Sequence, residues 1–321
     1  MGGMWVLAAW GLLGVSFGAV PPGDHRDDSL QKEVLPKYAS ALKRLEEFYS
    51  HVRIVGTGRY RAYPSSVDRQ FSVEFLAKGD ARRLTRTRTV DGKGEGVGTR
   101  YAWVTTPNLC FELFRAPDRS NYVVRSLAPG GCPQLSDQMR FNGQLCDAPF
   151  SLADIRVREL LESRNFRVSG VSWVDAGGTK LLRMQFQRSA PAGFTSGWIL
   201  VDPQQAWVLR EYETTSASQS TGGHGVLEYR GSGDGIPLLR RATLDWTQKG
   251  KATESHELRV ETIAWEEVPE EAFTLSAFGI TAPVQGQAPT ARRMFSLIVV
   301  VALLALLFLV LYRRWRRAKA A

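Results

Sequence analysis

Residues 197–212 read GWILVDPQQAWVLREY. Trp198 and Leu200 alternate with Ile199 and Val201, Asp202-Pro203 interrupts the run, and Trp207 and Leu209 then alternate with Arg210 and Glu211. Two β-forming runs either side of a turn signal predict a hairpin. The same period of two returns at Phe71, Val73 and Phe75, and again at His256, Leu258, Val260 and Thr262, where Glu257, Arg259 and Glu261 take the alternate positions. Turn clusters separate these runs at Asp91–Gly98, Pro117–Ser120, Asp175–Gly178, Gly222–Gly225, Gly231–Gly235 and Gln248–Lys251. Repeated hairpin spacing predicts a large antiparallel meander, with one wet face and one packed face. A sheet of roughly ten strands must curl, because flat sheets of that width are rare. The expected fold class is therefore mainly β (α+β): a curved antiparallel sheet, or open half-barrel, with helices against its concave face.

Two helices are expected. Leu30, Val34, Tyr38, Leu42, Leu45 and Tyr49 form one apolar stripe over 29–50, with Ser29 placed to cap it. Pro36 is awkward in that register, so the regular helix is expected to start only there. The second spans Leu152 to Ser163, capped by Ser151, with Leu152, Ile155, Leu160 and Leu161 inward.

The chain ends place it at a membrane. Phe295 to Leu311 is a run free of charge, preceded by Arg292 and Arg293 and followed by Arg313, Arg314, Arg316, Arg317 and Lys319. Seventeen to nineteen helical residues reach roughly 25–29 Å, enough for a ~30 Å hydrocarbon core. Met4 to Val15 has the length of a signal-peptide apolar region, with cleavage expected after Gly18, or after Ala19. Met1 to Trp5 carries no cation, and an uncleaved N-terminal anchor is the alternative. The expected organisation is a signal peptide 1–18, a flexible lead 19–28, a β ectodomain 29–281, a stalk 282–293, a transmembrane helix 294–312 and a basic cytoplasmic tail 313–321. More cations on the tail side than on the other orient the ectodomain away from the cytoplasm.

The net charge of +9 does not mark a nucleic-acid binder: seven of the 41 Lys and Arg flank the span, leaving 34 against 32 acidic residues. Arg82, Arg86 and Arg88 share a strand face, read as solvated. The four histidines are scattered and no CxxC pair exists, so no metal or other cofactor is expected. Cys132 and Cys146 flank a loop rich in Pro, Gly, Asn and Gln and stand as a candidate disulfide, with free thiols the equal alternative. Cys110, between Leu109 and Phe111, reads as a small buried thiol. Gly94, Gly96 and Gly98 fit a hairpin better than a phosphate loop, and Gly231 to Gly235 lacks the serine of a nucleophile elbow. The glutamates around Val268-Pro269 lack calcium-loop spacing. No enzymatic constellation stands out, and an enzyme is not expected.

The order of signal peptide, N-terminal amphipathic helix and hairpins resembles the periplasmic lipoprotein-carrier superfamily of LolA, LolB and RseB. Tyr101–Phe114, YAWVTTPNLCFELF, is similar to that family's strand–turn–strand passage, and Gly197–Tyr212 to its later hairpin. The family's Pro-Gly-x-Phe-Arg-Trp strand is absent, its place taken by GDARRLTRTRT (79–89), and the C-terminal span is a further departure. The resemblance implies the half-barrel and an apolar concavity.

Trp103, Trp198, Trp207 and Trp246 fall in expected strands together with Phe111, and these five are the candidate ligand-binding residues. Core packing explains most such aromatics; in an unfilled half-barrel they line a cleft. The functional expectation is a membrane-anchored extracytoplasmic binding module of the bacterial cell envelope, holding an acyl chain or other apolar ligand, or a lipoprotein. The alternative is an envelope structural or regulatory protein acting by protein–protein contact without a ligand. Membrane lipid around the C-terminal helix is the remaining expected partner. Protease added to intact spheroplasts should remove the bulk of the chain; trimming of the tail alone would reverse the orientation.

Overall fold

The computed structural model describes residues 28–91, 96–130, 146–152, 155–189, 193–216, 221–233, 235–265 and 267–281. The expected signal peptide, stalk, span and tail, and all of the lead except Asp28, lie outside them. Among the described residues no helix is long and apolar enough to cross a membrane. The chain divides into two compact units, Met1–Phe273 and Thr274–Ala321. The described part of the second is a 3-10 turn, Leu275–Phe278, closed by Gly279 in the left-handed region (φ 71°).

In the first unit, α1 (Asp28–Phe48) opens the chain. Val34, Tyr38, Leu42 and Leu45, with Tyr49 just beyond its end, are buried along the predicted stripe. The helix begins before Pro36 and runs through it. Pro36 and Lys32 lie on the exposed side, where water can take up the Lys32 carbonyl that the proline leaves without an N–H partner.

Thirteen strands form one open antiparallel sheet. The first meander runs β1 (His51–Ala62), β2 (Val67–Lys78), β3 (Ala81–Asp91), β4 (Arg100–Thr105), β5 (Leu109–Arg115) and β6 (Val123–Pro129). The second runs β9 (Phe166–Ala176), β10 (Thr179–Arg188), β11 (Ser196–Asp202), β12 (Val208–Ser216), β13 (Thr221–Gly233), β14 (Ile236–Gln248) and β15 (Lys251–Ala264). Every neighbour in the sheet follows chain order except β1 and β15, whose pairing joins the meanders and leaves β6 and β9 as the edges.

The segment between the meanders crosses the face that α1 covers. It carries the short pair β7 (Ser151–Leu152) and β8 (Ile155–Arg156), then α2 (Val157–Glu162). The second helix is thus shorter than expected, and Arg156 rather than Ser151 precedes it, with no side-chain cap. Phe150 and Leu152 are both buried in the core. Phe150 closes a 3-10 turn (Ala148–Phe150), and the Ser151–Leu152 strand that follows pairs with Ile155–Arg156, so the expected helix starts only at Val157.

Register defines two faces. Ile54, Phe75, Leu84 and Trp103 lie in line across β1 to β4, as do Tyr60, His256 and Leu244 across β1, β15 and β14. These belong to the face packed against α1. Arg86 lies on it too, paired with Val73 and Tyr101, so the expected solvated face for these arginines is corrected. Its guanidinium sits 4.0 Å from the Phe71 ring centre, and burial lowers its pKa to about 10. A long aliphatic stem with a cation over a ring lets arginine occupy an apolar face.

Gly222–Gly225, expected as a turn, lies inside β13. Gly225 pairs with Tyr212, and a Cβ there would stand 2.2 Å from the tyrosine ring. The glycine is a seat for the ring rather than a break in the strand. Gly225→Ala should lower stability by about 2 kcal/mol in thermal unfolding followed by tryptophan fluorescence, and by much less in a Tyr212→Leu background. Equal losses in both backgrounds would contradict the ring contact.

Candidate functional site

The most elaborately built feature on the α1-covered face is the β11–β12 turn. Asp202 is fully buried. Its Oδ1 accepts from the Gln204 and Gln205 N–H groups (3.1 and 3.2 Å), and its Oδ2 from Arg210 Nη2 (2.9 Å). Arg210 in turn lies 5.2 Å from the centre of the Tyr229 ring, and Tyr229 Oη donates to the Leu209 carbonyl (2.8 Å). Burial pushes the Tyr229 hydroxyl well above its ordinary pKa, so it stays a donor.

This frame holds Ala206 and Trp207 at φ 52° and 61°, a left-handed conformation that non-glycine residues adopt at a cost of about 1–2 kcal/mol each. The Trp207 N–H donates to the Asp202 carbonyl (2.9 Å), which closes the turn. The outcome is an indole turned onto α1, 6.3 Å from the Tyr38 ring. Ala41, Arg44, Leu45, Ala206, Trp207 and Ile236 line a cavity of about 30 Å³ there. That is room for a water or two, against roughly 300–1,000 Å³ for small-molecule pockets.

The five candidate aromatics divide between the faces. Trp103 is buried in the core, stacked 5.6 Å from Tyr101. Trp207 and Trp246 pack against the same core, Trp246 opposite Gly223. Five strand-to-strand steps separate Trp103 on β4 from Trp246 on β14, roughly 24 Å along a sheet, so the three share a face without forming one constellation. Phe111 pairs with Val104 and Leu127 and belongs to the opposite face, where it is fully buried. Trp198 is also on the opposite face, its Nε1 donating to Glu213 Oε2 (3.0 Å) beneath the Arg183 guanidinium.

Cys110 is buried, its Sγ donating to the Gly130 carbonyl (3.3 Å). Cys146 is a buried free thiol; Cys132, the other half of the candidate disulfide, lies outside the described residues. Burial raises the Cys146 pKa, so it is a thiol rather than a thiolate. Among the described residues no group of three His, Cys, Asp or Glu side chains is placed to hold a metal.

Sequence reading placed Tyr38 in the helix stripe and Asp202 and Arg210 in the hairpin but assigned none of them to a site. Only the Asp202-Pro203 turn signal pointed toward this frame.

No family model and no curated protein matches the sequence. Among solved structures the chain is similar to a LolA superfamily protein from Nitrosomonas europaea: 14% identity, 74% of this chain and 97% of that one, TM-score 0.43. It is similar to a DUF1329 family protein from Desulfovibrio piger at 11% identity, over 76% of this chain and 98% of that one, TM-score 0.46. With MucB the identity is 12%, over 77% of this chain and 64% of that one, TM-score 0.27.

Two substitutions test the frame by the same thermal unfolding. Asp202→Ala leaves the Arg210 charge unpaired and should lower stability by about 3 kcal/mol. Tyr38→Phe removes a buried hydroxyl that has no hydrogen-bond partner among the described residues and should raise stability by about 1 kcal/mol.

Proposed function

We propose that this chain is an extracytoplasmic binding module of the bacterial cell envelope, tethered by the C-terminal segment 294–312, that acts by contact with another protein. The open sheet, with α1 packed on one face, is the platform for that contact. The observation that carries this reading is the filling of the α1-covered face. Val34, Tyr38, Leu42, Leu45 and Tyr49 occupy it from the helix side, and Phe150, Leu152, Val157 and Leu160 from the crossing segment.

A stored acyl chain would need that material to leave. Burying sixteen methylenes offers about 12 kcal/mol before ordering costs. Removing even two fully buried leucines from a core costs about 4–10 kcal/mol, so displacing all of α1 outweighs the gain. The carrier reading keeps one specific support, the Trp207 cavity, which abuts the helix and is lined by Ala41, Leu45, Ala206 and Ile236 together with Arg44.

Titration with a fluorescent sixteen-carbon fatty acid separates the two. The expected result is no saturable binding to the detergent-solubilised chain up to the solubility limit of the probe. Saturable binding that disappears in a folded Trp207→Asp variant would return the acyl-carrier reading.

A further inference from the structure

The two edges of the sheet are treated differently. Along β9, α1 and α2 lie against the strand, and Gln31 Nε2 donates to the Val168 carbonyl (3.3 Å). At the other end, among the described residues, β6 pairs only with β5, and its residues Val123 to Leu127 are all exposed. Val123 is 60% exposed, Val124 38% and Leu127 40%. A strand paired on one side turns about half of its N–H and C=O groups outward, which is a template for another strand. Edge strands are ordinarily blunted by several charges; in VVRSLAP only Arg125 is charged, and only Pro129, the last residue, lacks an N–H.

We infer that β6 is a docking edge for an extended acidic segment of a partner protein, added as a fourteenth strand, an inference that rests on the protein-contact reading above. Register sets the chemistry of the incoming strand. Val124 and Leu127 share the face of Leu113 and Phe111, which are fully buried, so apolar side chains of the partner on that face would extend an existing apolar layer. Ser126 and Ala128 lie on the other face, opposite Glu112 and Cys110. Arg125 sits at the bulge between these registers, its guanidinium 5.1 Å from the Phe114 ring centre and 6.0 Å from that of Tyr101.

Arg100, Arg115, Arg119 and Arg125 on β4 to β6 and their turns outnumber the two acidic residues described there, Glu112, engaged by Arg125 (3.5 Å), and Asp118, beside Arg119 (3.7 Å). The partner strand that fits is therefore extended, apolar at alternate positions and acidic between them. A second copy of this chain fits worse: antiparallel pairing of two β6 strands about Ser126 sets their Arg125 side chains on a diagonal, where like charges repel.

The test uses the full chain in detergent with two fluorescein-labelled octapeptides, one alternating valine with glutamate and one alternating valine with lysine. Fluorescence anisotropy should show saturable binding of the glutamate peptide, about tenfold tighter than the lysine peptide and weakened at high salt. Val124→Lys, a charge on the outer apolar row, should abolish binding, and Arg125→Glu should remove the preference between peptides. Circular dichroism and thermal unfolding check that both variants fold, which is expected because both side chains are exposed. Equal binding of the two peptides, or binding untouched by either substitution, overturns the edge assignment while leaving the protein-contact reading intact. A dimer that Val124→Lys dissolves would overturn it in favour of a self-interface. Saturable fatty-acid binding in the earlier titration would instead strike the reading on which this inference rests.

Discussion

The pairing of β1 with β15 is the contact in the large sheet that chain order does not supply. All other neighbours in it are successive strands, which local turns can bring together. Here Arg53 must find Ala264 and Ala62 must find Glu254, across most of the described chain. Loop closure over such a separation is entropically costly and slow, so the seam needs support from both sides. Tyr49 supplies part of it. Standing between α1 and β1, its buried hydroxyl donates to the Pro237 carbonyl (3.4 Å) and accepts from the Leu239 N–H (3.2 Å), both on β14. Burial raises its pKa to about 12, so the hydroxyl keeps its proton and both bonds through the physiological range. At the bulge in the seam, a Cβ on Gly56 would lie 2.2 Å from the Arg259 carbonyl oxygen, so the strands can close there only over a glycine.

Once the seam is made, α1 spans elements from both meanders. Its Gln31 reaches β9 and the tyrosine beyond its end reaches β14. The helix is thus a cross-brace over the sheet as well as a filler of its face. The polar groups this face does admit are held. Asp202 is saturated by two N–H groups and an arginine, and Arg86 lies over a phenylalanine ring. The Tyr38 hydroxyl is different, a buried group with no partner among the described residues, tolerated beside an indole that a strained turn aims at it. A face so occupied leaves, at the Trp207 cavity, room for a water or two.

The hairpins, the period-two strands and the α1 stripe were legible because each is set by neighbours within a few residues. Trp207 and Trp246 also proved to be on the α1-covered face. Phe111 and Trp198 did not, and the cause is specific. Along β5, Cys110 and Phe111 are adjacent, both apolar and both buried, one on each face. When a strand is apolar on both sides, alternation carries no label for inside and outside, and only the packing of other layers assigns one.

What the sequence by itself determined is the mainly-β class, the helix that precedes it and the positions of most turns, since these follow from backbone propensity and side-chain period. The tertiary structure alone decided the rest. It placed the glycines of β13 in a strand, because the Tyr212 ring of β12 needs the missing side chain of Gly225 and the Trp246 ring of β14 lies against Gly223. It held Ser151 and Leu152 in a short strand ahead of the second helix, because they pair with Ile155 and Arg156. It put Arg86 inside, because a ring lies beneath it, and it left β6 open at the end of the sheet. Each of these outcomes depends on what lies across the space from a residue, and local sequence does not carry that information.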